Sequence, residues 1–214
     1  MTLIAGRLAT LGRRGRSHGA RGGRPIYAAT LLASTALWAG MAAPALAQAM
    51  QEITVDDERN ETLRSSTADD GGSADIVVTN EGSVLVDEGV AVILDSDNRL
   101  DNNGILRSDG EMDAAGVLAE TGTGIDSGIV NSGQIDVIPN VDNEDILDTG
   151  PNFGIRLTGE GPFTGDILND TGGQIAVGGR GSIGLDLGAP VIGTVENRGQ
   201  IALDGPDSIG VRIG

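Results

Sequence analysis

The sequence predicts an all-β protein: a right-handed parallel β-helix with three short strands per coil and about five coils, behind a signal peptide. Three observations lead to this prediction. An Asn and Gly phrase recurs at intervals of 22 to 38 residues, and repeats of this length are typical of solenoids. Aliphatic residues alternate with other residues at period two, as they do in strands. No long window shows the 3.6-residue period of a helix.

Residues 1–47 have the pattern of a signal peptide. They contain six arginines and no acidic residue, and Ile26 to Met41 form an uncharged, Ala/Leu-rich core. Pro44-Ala45-Leu46-Ala47 supplies the small residues that a signal peptidase reads, so cleavage is predicted before Gln48. A membrane anchor is the alternative, because the segment is long enough to span a bilayer. Pro44 and the absence of a stop-transfer pattern favour the signal peptide.

The predicted exported part, residues 48–214, is strongly acidic and chemically restricted. It carries eight arginines and 31 acidic residues, a formal charge of −23, and the chain has no lysine or cysteine. The single His18, Tyr27 and Trp38 all precede the cleavage point. This composition excludes Ser/His/Asp and Cys/His catalysis, Schiff-base lysines, and zinc sites built on His or Cys. The negative charge also disfavours nucleic acid as a partner.

Residues 48–73 are polar and acidic and show no sustained apolar period. We interpret them as an acidic flexible leader or a cap. The β-helix repeat region is predicted to occupy residues 74–214.

The first recurring phrase in this region places an apolar residue shortly before Asn, then a Gly, then alternating aliphatic residues. It occurs at Asn80, Asn102, Asn131, Asn169 and Asn197. We expect these asparagines to tolerate a left-handed turn and to hydrogen-bond their own backbone or the Asn of the next coil. The repeating glycines are expected to supply corner conformations with positive φ.

The second phrase is a Gly followed by aliphatic, any residue, aliphatic. It occurs at Gly89, Gly116, Gly154, Gly184 and Gly210. The last repeat is then predicted to contain the strands Thr194–Glu196, Gln200–Leu203 and Ser208–Ile213. A hairpin-based sandwich is the alternative, but it does not explain why Asn and Gly recur at equivalent points.

The alternation also predicts which residues stack. The apolar residues of the last repeat should point inward over their counterparts one repeat earlier: Val195, Ile201, Leu203, Ile209, Val211 and Ile213 over Ile167, Ile175, Val177, Ile183, Leu185 and Leu187. Arg156, Asp186 and Arg212 should fall on the outer face, with Asp186 a solvated strand position.

The repeats resemble the passenger segments of Gram-negative autotransporters, the pertactin-like β-helices of type V secretion. The likeness rests on the phrases around Asn131 and Asn197 and on Ser182-Ile183-Gly184 and Ser208-Ile209-Gly210. It covers about residues 74–214 and implies a non-enzymatic exported protein, a stalk or an adhesin-like presenter of loops such as the one between Val137 and Phe153.

The resemblance also implies location and partners. The chain would lie at the cell surface or outer membrane or be secreted, and would stay in the periplasm without a translocator. Its implied partners are an outer-membrane translocator or further repeats supplied elsewhere, and host surface or matrix glycans or proteins.

The family's C-terminal outer-membrane barrel has no counterpart before Gly214, where the repeats stop. A passenger fragment, a truncated gene product or a partner of a separate anchor each fits this ending. Because solenoids need atypical terminal repeats, we expect self-association through an open C-terminal coil.

The sequence predicts no catalytic, cofactor-binding or metal-binding residue. Gly178 to Ser182 resembles the start of a calcium-binding nonapeptide, but Ile183 stands where the liganding Asp belongs. The oxygen-rich segments Asp95 to Asn98 and Asp101 to Gly104 fit no EF-hand register, which leaves only weak calcium binding open.

A carbohydrate-active β-helix, a lyase or hydrolase that uses Asp/Glu and Arg, is the alternative function. It would use paired carboxylates on neighbouring coils, with Asp186 as one candidate. Arg156 and Arg180 alone make a thin site for an acidic polysaccharide.

Cleavage before Gln48 has a direct spectroscopic consequence. The exported species should lack Trp38 and Tyr27, and should therefore show almost no tryptophan fluorescence and little absorbance near 280 nm. Mass spectrometry of the exported chain checks this prediction. Recovery of a peptide that contains Trp38 from the exported species would contradict the signal-peptide assignment.

Overall fold

The structure is a computed structural model that describes residues 51–139 and 149–214. These residues belong to one compact unit that spans Leu46–Gly214, and the predicted signal peptide lies outside the described residues. They form 21 β-strands and a single 3₁₀ turn at Ser65–Thr67. In this described part, no helix has the length and hydropathy needed to cross a bilayer.

The chain winds through six coils, of which the first three contain three strands each. Coil 1 consists of β1 (Glu52–Val55), β2 (Glu58–Arg59) and β3 (Leu63–Arg64); coil 2 of β4 (Asp75–Val78), β5 (Ser83–Val86) and β6 (Val90–Leu94); and coil 3 of β7 (Arg99–Asn102), β8 (Ile105–Ser108) and β9 (Ala115–Gly122).

Coils 4 to 6 begin with an additional two-residue strand. Coil 4 consists of β10 (Ile125–Asp126), β11 (Gly128–Asn131), β12 (Gln134–Val137) and β13 (Phe153–Gly159); coil 5 of β14 (Phe163–Thr164), β15 (Ile167–Asn169), β16 (Gln174–Gly178) and β17 (Ile183–Leu187); and coil 6 of β18 (Val191–Ile192), β19 (Val195–Asn197), β20 (Gln200–Asp204) and β21 (Ile209–Ile213).

Equivalent strands of successive coils stack into four parallel sheets. The first sheet has the order β1-β4-β7-β11-β15-β19, the second β2-β5-β8-β12-β16-β20, the third β3-β6-β9-β13-β17-β21, and the fourth β10-β14-β18. The predicted all-β fold with parallel, sequentially stacked coils is confirmed, with six coils instead of about five. Its right-handed sense stays a prediction.

Coil 1 includes residues that the sequence suggested were a leader or cap. β1 pairs in parallel with β4 from Glu52 opposite Asp75 to Val55 opposite Val78, and Val55 is buried. The stack of coils therefore begins at Glu52, and the residues interpreted as a leader or cap include the strands of coil 1. The alternation was hidden because β2 and β3 are only two residues long and stand among charged residues.

The core is a set of apolar columns, each made of equivalent residues one coil apart. All six predicted pairs between the last two coils occur, among them Ile175 with Ile201 and Leu185 with Val211. Burying one such side chain stabilises the fold by roughly 1.5–3 kcal/mol. Ile183 differs from the prediction, because it packs with Ala115 and Phe153 in a second, smaller cluster apart from the main core.

A ladder of asparagines runs along the end of the first sheet. The Nδ2 of Asn102 donates to Oδ1 of Asn131, Asn131 donates to Asn169, and Asn169 donates to Asn197, each at 2.7 Å. Hydrogen bonding to the Asn of the next coil is therefore confirmed. Asn80 is not part of the ladder, because Val78 occupies the position opposite Asn102.

Among the glycines that follow these asparagines, Gly172 has the predicted positive φ, but Gly104, Gly133, Gly173 and Gly199 do not. They are required because successive coils approach too closely for a side chain. A Cβ on Gly133 would lie 2.2 Å from the carbonyl oxygen of Gly104, and one on Gly199 would lie 2.2 Å from that of Gly173. Gly recurs here because a side chain would not fit, and not because the backbone requires a positive φ.

The second set of glycines faces the core. A Cβ on Gly116, Gly154 or Gly184 would lie 2.1 to 2.5 Å from the Cγ2 methyl of an isoleucine in the next coil, respectively Ile135, Ile175 and Ile201. In coil 2 this column contains Ala91 and not the predicted Gly89. The equivalent neighbour one coil further is Leu106, which carries no methyl group on its Cβ.

This contact predicts a position-dependent effect of adding one methyl group. We expect Gly116→Ala to lower the free energy of unfolding by about 1–3 kcal/mol, because the new Cβ overlaps Ile135. Gly210→Ala is the matched control, since a Cβ at that equivalent position of coil 6 meets nothing within 4 Å. Urea unfolding measures both. Equal stability of the two variants would contradict the described contact.

Candidate functional site

Asp186 is the centre of an ion cluster on the outer face of the third sheet. Its parallel neighbours are Arg156 in coil 4 and Arg212 in coil 6. Arg212 donates two hydrogen bonds of 2.8 Å to the carboxylate, and Nε of Arg156 lies 3.5 Å from Oδ2. The predicted outer-face position is therefore correct, but the prediction of a solvated side chain is wrong. Only 3% of the Asp186 side chain is exposed.

Arg156 is held by three neighbours of different kinds. Besides Asp186, its guanidinium carbon lies 3.9 Å from the ring centroid of Phe153, and Nη1 lies 3.7 Å from Oδ1 of Asp113. Stacking on an aromatic face is favourable for a guanidinium. The arrangement crosses four coils, from Asp113 in coil 3 to Arg212 in coil 6, and balances two arginines with two carboxylates. It therefore ties coils together through their outer faces.

Asp95, in the oxygen-rich segment that left weak calcium binding open, accepts hydrogen bonds from three residues of coil 1. Oδ2 accepts from Nη1 of Arg64 at 2.6 Å and from Oγ of Ser66 at 2.8 Å. Oδ1 accepts from the Ser66 backbone N–H at 3.0 Å and from Oγ of Ser65 at 3.2 Å. This carboxylate fastens the 3₁₀ turn of coil 1 to the end of β6. Its oxygens are occupied by protein donors.

The pKa of Asp95 is set by opposing effects. Burial raises the pKa of this carboxyl group, but the hydrogen bonds from Arg64 and Ser66 together outweigh burial and hold it below its ordinary value. The ionised form is therefore the one that stabilises the fold. This contribution is present at neutral pH and is lost as the pH falls through the lowered pKa.

The remaining residues of this segment are also engaged within the fold. Asp97 accepts from the backbone N–H of Asp126 at 2.8 Å, and Nδ2 of Asn98 donates to Asp75 at 3.1 Å. Oδ1 of Asn98 accepts from Oγ of Ser96 within the segment at 2.9 Å, whereas Oδ1 of Asp97 contacts coil 4, so these oxygens have different partners. They do not converge on one point, as calcium ligands must.

The two other candidate segments do not bring ligand oxygens together either. Asp101 lies on the outer face near Arg99, at 3.6 Å, whereas Asn102 is buried in the asparagine ladder, so their oxygens do not face a common point. Gly178 to Ser182 is a tight corner in which Ser182 Oγ donates to the Gly178 carbonyl at 2.8 Å. Within the described residues, no group of three or more His, Cys, Asp or Glu is arranged to hold a metal ion.

An open acidic cavity of about 790 Å³ lies at the corner between the second and third sheets. Its carboxylates come from two successive coils: Asp87 and Glu88 from coil 2, and Asp109, Glu111 and Asp113 from coil 3. The predicted loop after Val137 starts at the same corner of coil 4, but its residues 140–148 lie outside the described residues. We call the five carboxylates the acidic corner.

The cationic side chains are already paired. Each of the eight arginines among the described residues has a carboxylate oxygen within 3.6 Å. Hydrogen bonds to these carboxylates raise the pKa above its ordinary value for Arg64, Arg107, Arg198 and Arg212. Arg180, which the sequence suggested as a substrate contact, lies 3.4 Å from Asp207.

Two of these contacts had no signal in the sequence. The Arg64, Ser65 and Ser66 cluster lies in a stretch without alternation, and its partner Asp95 is 29 to 31 residues away. Phe153 and Arg156 are three residues apart, so period-two alternation assigns them to opposite faces, yet the guanidinium of Arg156 stacks on the Phe153 ring. Both depend on exact register between coils.

Replacing Asp95 tests the role of this cluster. We expect Asp95→Asn to lower the free energy of unfolding at pH 7 by about 1–3 kcal/mol, because donors of coil 1 lose a charged acceptor. Asp57→Asn, in the exposed pair with Arg59, should change it by less than about 1 kcal/mol.

Urea unfolding at several pH values supplies the second readout. The difference between wild type and Asp95→Asn should shrink as the pH falls below the ordinary carboxyl value of 3.8, since the wild type then loses the same charge. A difference that does not change with pH would show that the carboxylate charge has no part in holding coil 1.

Compared with known proteins, the chain matches no family model, no curated protein and no solved structure.

Proposed function

We propose that this chain is a non-enzymatic exported protein that acts at the cell surface, as a passenger segment of the autotransporter type that presents loops from a rigid stalk. One observation carries the proposal. Each described arginine is paired with a carboxylate, and the carboxylates of Asp95 and Asp186 hold neighbouring coils together. The signal-peptide pattern supports export.

The stack of coils suits display because the residues that hold the coils together are different from those at the surface corners. The apolar columns and the asparagine ladder fix the coils, while corners differ in length and composition from coil to coil. The acidic corner joins two such corners, and the segment after Val137 begins at the equivalent corner of coil 4. We propose this edge as the presenting surface, with host surface or matrix glycans or proteins as its partners and an outer-membrane translocator as its anchor.

A carbohydrate-active enzyme is less well supported. A lyase would need cations free to meet a substrate carboxylate, and Arg156 and Arg180 both contact acidic side chains. A hydrolase would need two carboxylates facing a cleft about 5–10 Å apart. Asp186 is a poor candidate, because its two oxygens accept hydrogen bonds from Arg212 and it is almost fully covered.

Surface display is tested with an epitope tag in the acidic corner. The tag is inserted after Met112, an exposed side chain at this edge, in the complete chain produced by the cell that carries the gene. Antibody binding to intact cells, measured by flow cytometry, is the expected result. The matched control is the same tagged chain without residues 1–47, which should remain inside and unlabelled.

The compartments give distinct outcomes. Labelling that requires permeabilisation of the outer membrane alone would place the chain in the periplasm and contradict display. Labelling only after complete lysis, equal to that of the control, would contradict export as well. Periplasmic and cytoplasmic marker proteins, followed in the same cells, establish which barrier was opened.

A further inference from the structure

Asn60 stands at a corner of coil 1, within one of the two Asn-x-Thr sequences of the chain. The first sequence is Asn60-Glu61-Thr62 and the second is Asn169-Asp170-Thr171. Asn-x-Ser/Thr is the acceptor pattern for N-linked sugars, which attach at surface positions of secreted proteins. The two asparagines have opposite surroundings in the structure. From this difference we propose that Asn60 is a glycosylation site, whose side-chain amide takes a sugar that is activated at C1 by a diphosphate.

The corner that joins β2 to β3 leaves the amide of Asn60 accessible. Each residue from Asp56 to Thr62 is exposed. Nδ2 of Asn60 donates to Oε1 of Glu58 at 3.2 Å, within the same corner. A hydrogen bond to a carboxylate polarises the N–H bond that must break when a sugar is added. Because this contact stays within coil 1, a sugar on Nδ2 displaces no neighbouring coil.

Asn169 has the same sequence pattern but lies in the asparagine ladder. It is fully buried, and its Nδ2 donates to Oδ1 of Asn197 at 2.7 Å and to the carbonyl oxygen of Gln200 at 3.4 Å. A single Cβ added to Gly199 would already lie 2.7 Å from this nitrogen. A sugar on Asn169 would therefore break the ladder. Asn169 is an internal control for the effect of burial.

Thr62 supplies the hydroxyl group of the acceptor pattern. Its Oγ1 donates to the carbonyl oxygen of Val90 in coil 2 at 2.7 Å, so a transferase that recognises this hydroxyl must first release it. The release is local, because β2 and β3 pair with coil 2 over only two residues each. Short exposed segments open at low cost in free energy. Release of Asn169 would instead separate coils 4 to 6 along the ladder.

A groove of about 290 Å³ lies beside Asn60 and has room for part of an attached glycan. It is lined by Leu85 of coil 2, by Arg107 of coil 3, and by Asp87 and Asp109. The carboxylates accept hydrogen bonds from sugar hydroxyls, and the guanidinium donates to them. The glycan would therefore lie next to the acidic corner, which shares Asp87 and Asp109 with this groove.

The transfer forms one bond and breaks one. Nδ2 of Asn60 bonds to C1 of the sugar, while the C1–O bond breaks and the diphosphate leaves with the electron pair. One Nδ2 proton passes to a base of the transferase and from there to water. The activated carbon comes from a lipid-linked sugar diphosphate outside the cytoplasmic membrane or from a sugar nucleotide inside the cell. Only the lipid-linked source depends on the proposed export.

Mass spectrometry of the complete chain, purified from the cell that carries the gene, tests the proposal. Cleavage after arginine places Asn60 and Asn169 on separate peptides, residues 60–64 and 157–180. We expect the mass of a glycan on the first peptide and none on the second. Asn60→Gln and Thr62→Val should abolish the added mass, whereas Thr62→Ser, which keeps the hydroxyl, should retain it. Circular dichroism should show that all three variants keep the strand content of the wild type.

The same measurement on the chain without residues 1–47 distinguishes the two donors. Loss of the glycan from this retained chain supports the lipid-linked donor, and a glycan that persists supports the sugar nucleotide. Unmodified Asn60 in every cell fraction would overturn the site, and equal modification of Asn169 would overturn its selection by exposure. Compartment markers follow export separately, so a glycosylated chain that stays inside the cell would contradict the proposed function but not the site.

Discussion

The close approach of successive coils is the constraint on which the other features depend. Parallel backbone hydrogen bonding holds neighbouring strands about 4.8 Å apart, and at the corners an added Cβ on Gly133 or Gly199 would meet the backbone of the preceding coil. Side chains must then stack in columns of matched shape. Gly116 opposite the branched Ile135 shows how narrow this matching is, since one methyl group determines whether Gly or Ala is accepted at such a position.

Much of the fold could be predicted from the sequence because this constraint repeats. The pairs Ile175 with Ile201 and Val177 with Leu203 could be read by aligning one repeat with the next, and the structure contains them. The strand pairs of coil 1 could not be predicted by this alignment. There Arg59 takes the column position that Val84 fills in coil 2, so the alternation of apolar residues disappears although the strand pairing continues.

Other features escaped prediction because they depend on geometry that alternation does not encode. The two-residue strands of the fourth sheet are too short to show a period, yet they give coils 4 to 6 an additional side. That side holds Phe163, fully buried between Ile125 and Val191 of the adjacent coils. Asp186 could be placed on the outer face but not under its arginines, because its burial depends on side chains 26 and 30 residues away in sequence. Within the oxygen-rich segment of coil 3, Asp101 and Asn102 point to opposite faces, as neighbouring residues of a strand do.

The asparagine ladder has a consequence for how a chain of this kind changes in evolution. Its four members are separated by 29, 38 and 28 residues, yet the three amide contacts between them have the same length. Differences in the length of chain between successive asparagines therefore leave these hydrogen bonds unchanged. A whole coil can be duplicated or lost with the amide dipoles still aligned along the axis and polarising one another. Such a scaffold is modular, and its length and its corner loops are free to diversify independently.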